Sequence, residues 1–163
     1  MSPRPELRLA TFRRSERGST LLLFPAALLI MVALAAMTVD SAIGFMAQRE
    51  LVNATSAAAN DAATEALSDS SFYQGDVIEL SPAAVEGIAV DRVRQLVDQQ
   101  RHHDLAVTAE AVPPAGAGCA WTVRVTASSS VDELFGRAMP GSDGRLAVRA
   151  SSAASPRQSD GGC

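Results

Sequence analysis

From residue 18 to residue 39 the chain reads GSTLLLFPAALLIMVALAAMTV, twenty-two residues without a charge between Arg17 and Asp40. This run constrains the fold more than any other feature, because a helix apolar on every side needs apolar surroundings on every side. At ~1.5 Å rise per residue it extends about 33 Å, and a bilayer's hydrocarbon core is ~30 Å thick. Pro25 falls in the first third, where a membrane helix accommodates it with a modest kink. The flanks differ in sign. Arg4, Arg8, Arg13, Arg14 and Arg17 against Glu6 and Glu16 leave +3 before the run, whereas residues 40–163 carry −7. The positive-inside rule therefore predicts a single-pass protein of the cell membrane, with a cytoplasmic N-terminus and everything beyond Asp40 extracytoplasmic.

The rival reading is a secretory signal with its cleavage site at Ala33, Leu34 and Ala35, releasing a secreted or envelope-binding protein near Ala35. An h-region usually spans ~7–15 residues, so the length of this run favours retention as an anchor. Helix-compatible sequence also continues past it. Ile43, Met46, Ala47, Leu51, Ala54, Ala58, Ala62 and Ala66 recur in steps of three and four and predict one apolar stripe. Gln48, Arg49, Asn53, Asn60 and Glu65 fall on the other face, and Gly44 is a weak point. The small-residue stripe has two uses, packing inside the chain or packing between chains.

Beyond residue 67 the pattern is that of a small mixed domain. Residues 68–71 break the helix and residues 72–76, FYQGD, read as a turn. Ser81 and Pro82 predict a helix start, with the hydroxyl capping free amides and Pro at the first helical position. Val85, Ile88, Ala89, Val93, Leu96 and Val97 give that helix one apolar face as far as residue 100. The period then drops to two over residues 104–112, 119–127 and 145–150. In these segments Leu105, Val107, Ala109 and Ala111, then Cys119, Trp121, Val123, Val125 and Ala127, then Leu146, Val148 and Ala150 share one side. Residues 131–139 offer a short helical plug through Leu134, Phe135 and Met139. One-sided alternation suits an antiparallel sheet of about three strands with one wet face, its dry face covered by the helices. Aromatics are 4% of the chain, so Val, Leu, Ile and Ala must supply the core.

The expected organisation is a cytoplasmic basic segment (1–17), a transmembrane helix (18–40), its amphipathic continuation (41–67), an extracytoplasmic α+β domain (68–152) and a disordered tail (153–163). Residues 151–162 read as disordered because they are rich in Ser and Gly and include Pro156.

Few residues invite chemistry. An acidic domain without a basic patch excludes nucleic-acid binding, which requires clustered positive charge. His102, His103 and Asp104 form the histidine site, but adjacent histidines on a helix diverge, and a metal needs three or four convergent ligands. No G-x-S-x-G elbow supports a serine hydrolase, and the glycines at 116–118 and 141–144 precede no helix start that would cradle phosphate. Asn53, Ala54 and Thr55 match a glycosylation sequon inside a predicted helix. Cys119 and Cys163 can pair in an oxidising compartment, stay free, or bridge to another chain. These readings point to a non-enzymatic protein with no cofactor, no metal and no small-molecule substrate.

The stretch ERGSTLLLFPAALLIMVALAAMTVDSAIGFMAQREL, followed by AAANDAATEAL, resembles the N-terminal segment of TadE/TadG-like proteins of Tad (Flp) pilus-assembly systems. The shared features are Arg17 and Gly18 before the apolar run, Asp40 at its end, and Asp61 opening an Asp-Ala-Ala phrase. The later segments FYQGD, SPAAVEGIAVDRV and GRLAVRASSAA have the cadence of the same family, so the resemblance covers most of residues 16–154. It implies a pilin-like membrane protein whose partners are lipid and other pilus-assembly or secretion proteins, further copies of itself or related pseudopilins included. It also implies a processing site at Gly18 and Ser19. Processed members carry Glu at the fifth position after the Gly. Leu23 stands there in this chain, and a TadG-like anchored component fits better than a cleaved subunit.

Overall fold

The computed structural model describes residues 19–67, 80–116, 120–138 and 141–156. Its elements are a long helix α1 (Ser19–Glu65), a second helix α2 (Pro82–Leu96), and strands β1 (His102–Val112), β2 (Thr122–Asp132) and β3 (Arg145–Ala154), with a 3-10 turn at Gly136–Ala138. This is the expected α+β architecture. The chain divides into two units, Met1–Ala36 and Met37–Cys163.

In the first unit the described residues are helical from Ser19 and include Pro25. Leu23, Phe24, Leu28, Leu29, Ile30, Met31, Val32 and Leu34 are all more than half exposed. This helix is long and apolar enough to cross a membrane.

In the second unit the rest of α1 turns a buried face inward. Ala47, Leu51, Ala54, Thr55, Ala58, Ala59, Ala62 and Ala63 are all covered, at i, i+3 and i+4 spacings. The small-residue stripe is thus used within the domain. Met46 departs from the expected stripe and is 64% exposed, because the buried face is centred on the line through Ala47, Leu51 and Ala58. Gly44 is buried, and a Cβ there would meet Leu146 Cδ2, so the apparent weak point is a place where a side chain of the sheet comes close to the helix backbone.

Helix α2 starts with Pro82 in its first turn as expected, but the Ser81 hydroxyl makes no capping bond; only its carbonyl accepts, from the Val85 N–H at 2.9 Å. The helix buries Val85, Ala89 and Val93 and ends at Leu96, which is 47% exposed and so lies off the apolar face assigned to it.

The sheet is an antiparallel meander in the order β1-β2-β3. Val123, Val125, Ala127, Val131, Val148 and Ala150 are buried on its dry face, with Leu105, Val107, Ala109, Ala111 and Leu146 partly buried against the same core. Each strand runs past one of its expected limits, but β2 also starts short of the expected residue 119 and leaves Trp121 outside it. β2 starts at Thr122 and continues through Ser128, Ser129 and Ser130 to Asp132, because neighbours on both sides pair with it. β3 continues to Ala154, so Ser151 to Ala154, expected to be irregular, pair with Thr126 to Val123. The expected plug at 131–139 is replaced by strand for Val131 and Asp132, and Leu134 and Phe135 lie exposed. Met139 and the FYQGD turn lie outside the described residues.

Candidate membrane and partner interface

Asp40 ends the uncharged run, yet its residue is only 8% exposed. Its carboxylate accepts the backbone N–H of Leu134 at 2.8 Å and that of Phe135 at 3.1 Å. Two N–H donors on one carboxylate compensate much of the cost of burying the charge. Asp40 therefore ties helix α1 to the loop between β2 and β3. Asp61, the other aspartate that the resemblance singled out, pairs with Arg92 Nε of α2 and so ties the two helices together. The hydrogen bond and charge of Asp61 hold the Arg92 guanidinium above its ordinary range.

Gln48, expected on the solvent face, takes part in a third tie. Its amide donates to the Arg149 carbonyl at 2.6 Å and accepts from the Arg149 N–H at 3.3 Å. β3 is an edge strand, and this side chain occupies the backbone groups that the edge leaves open. Thr55 and Ser152 hydroxyls lie 3.1 Å apart further along the same contact.

His102 and His103 open β1 rather than lying on a helix. A bulge between His103 and Ala106, with Asp104 at φ 54°, inserts one extra residue and turns His102 inward. Its Nδ1 is 2.8 Å from Ser129 Oγ, and its Nε2 is 3.7 Å from Glu50 Oε2. Glu50 also accepts the Asp98 N–H at 2.8 Å and lies 3.4 Å from Arg101. Serine, histidine and carboxylate thus lie near one another, but His102 Nε2 makes no hydrogen bond, and His102 is 4% and Ser129 6% exposed, so the hydroxyl faces the interior. Sequence periodicity gives no sign of this cluster, because the bulge reverses the alternation. His103 points the other way, 3.3 Å from Asp132, which also lies 3.2 Å from Arg137 and 3.6 Å from Arg145. Burial pushes the Asp132 carboxyl up, but Arg137 and His103 together outweigh it and hold it below the usual carboxylate range.

Among the described residues no group of three His, Cys, Asp or Glu side chains is placed to hold a metal ion. Asn53 and Thr55 of the sequon lie inside α1, with Thr55 fully buried. Arg17, Gly18, Cys119 and Cys163 lie outside the described residues, and Ser19 is the first residue of α1. Two features stand out, the exposed apolar side chains of residues 23–34 and a domain held to the later part of α1 by Asp40, Gln48 and Asp61. No family model, no curated protein and no solved structure matches this chain.

Proposed function

We propose that this chain is a non-enzymatic, single-pass membrane component of a Tad/Flp-type pilus assembly or a related secretion apparatus, acting through protein–protein contacts. The observation that carries the reading is the exposure of every large side chain from Leu23 to Leu34, which is tolerable in lipid and costly in water. In this reading its N-terminus stays in the cytoplasm and its α+β domain faces outward, an orientation that the charge asymmetry supports. The role is mechanical. Helix α1 sets position and orientation, and the domain tied to it presents a surface to other assembly proteins, to related pseudopilins or to further copies of itself.

The pilus assignment stands on the sequence resemblance at Arg17, Gly18, Asp40 and Asp61, with both aspartates serving as ties between α1 and the domain. Deleting the gene in its source bacterium should remove surface pili or the associated secretion, with recovery on complementation by the full chain. Unchanged piliation and secretion in the deletion strain would contradict the assignment and leave membrane anchoring to be judged separately.

A further inference from the structure

The loop joining β2 to β3 holds two large apolar side chains in the open. Leu134 is 67% and Phe135 40% exposed. Their backbone is fixed, since both N–H groups donate to Asp40, the Glu133 N–H donates to the Gly144 carbonyl at 2.9 Å, and the Ala138 N–H donates to the Phe135 carbonyl at 2.9 Å. The residue that fixes them directly follows the apolar run. Met37 and Val39, the last large apolar residues of that run, are 54% and 41% exposed, and Met37, Asp40 and Ser41 share a cleft with Glu133, Ser142 and Leu146. Leu134 and Phe135 therefore sit level with the end of the run, in the same unit as Met37 and Val39.

We propose that Leu134 and Phe135 make a second, shallow contact with the lipid surface, with residues 133–138 lying in the headgroup layer beside Met37 and Val39. The inference rests on the membrane reading above and extends it to a second element. Lipid fits better than a protein partner because the patch is fixed by Asp40, the residue that directly follows the exposed Met37 and Val39 at the end of the apolar run. It is also small and bordered by the paired charges Asp132, Arg137 and Arg145, a mixture that suits the interface between headgroups and acyl chains. A lone spanning helix leaves rotation about its axis open, and a second contact off that axis fixes which side of the domain faces the membrane.

The test uses the full chain with Cys119 and Cys163 changed to Ser, reconstituted in phosphatidylcholine vesicles. Single cysteines from Leu134→Cys, Phe135→Cys, Ile30→Cys and Thr108→Cys carry an environment-sensitive fluorophore, and the lipids carry a nitroxide at a shallow or a deep acyl position. The expected result is blue-shifted emission at residues 134 and 135 that the shallow nitroxide quenches more than the deep one. The Ile30 probe should be quenched more by the deep nitroxide, and the Thr108 probe should report water. Unquenched probes at 134 and 135 beside a quenched Ile30 probe would overturn this proposal and leave the membrane reading standing. A blue shift at 134 and 135 that no lipid nitroxide quenches would assign the patch to a protein contact and overturn it too. If the Ile30 probe also escapes quenching, both readings fall.

Discussion

A carboxylate next to an apolar run has to find its partners nearby, and Asp40 finds them in the N–H groups of Leu134 and Phe135. Asp40→Ala would strand two donors and release the loop, at a cost of about 1–3 kcal/mol. Thermal unfolding of the detergent-solubilised chain, followed by circular dichroism, should show the loss, with Asp40→Asn losing less because it keeps an acceptor. Gly44 poses the opposite problem of too little space. Gly44→Ala gains about 0.8–1 kcal/mol of helix propensity, less the cost of turning aside Leu146 Cδ2, the far end of a flexible, half-buried side chain. The gain is therefore smaller in the native background than in a Leu146→Ala background. A double-mutant cycle of unfolding free energies reads that difference, and additive behaviour would contradict the close approach.

At the scale of elements, periodicity located most of the fold. The alternation of Val123, Val125 and Ala127, and of Leu146, Val148 and Ala150, places each strand and its dry side correctly. Pro82 marks the start of α2. What escaped was set by pairing across the chain rather than by local pattern. Ser128 to Ser130 have weak strand preference but neighbours on both sides, and Ser151 to Ala154 are ordered by β2. The bulge at Asp104 hides the inward turn of His102, and Gln48 looks like a surface residue until the open edge of β3 is laid beside it. Asp40 stands out as the end of the uncharged run and Asp61 only through a family resemblance, but no local pattern marks either as a tie, because their partners, Leu134, Phe135 and Arg92, lie far away in sequence.

The charge cluster at the end of β2 gives the elements a pH dependence. Asp132 has its carboxyl held below the ordinary value, so its contribution is present above the unfolded pKa of about 3.9 and is lost as pH falls through the folded value. Asp132 is 45% exposed, so screening keeps the contribution small and makes it weaken with salt. Unfolding midpoints of the native chain and Asp132→Asn should differ at neutral pH and converge in acid. A difference that persists or grows below that range would contradict the assignment.

For the whole molecule, two kinds of surface have to be reconciled. Residues 23–34 expose apolar side chains all round, whereas residues 40–163 bear a net charge of −7 and pack an ordinary Ala, Val and Leu core. Lipid around the first and water around the second would satisfy both, and the ties at Asp40, Gln48 and Asp61 hold the part of α1 beyond residue 37 to the rest of the domain. The most direct measurement is the intact mass of the chain recovered from carbonate-washed membranes. The account predicts a membrane-retained product that still contains residues 21–39. A soluble product beginning at or after Ala36 would contradict it.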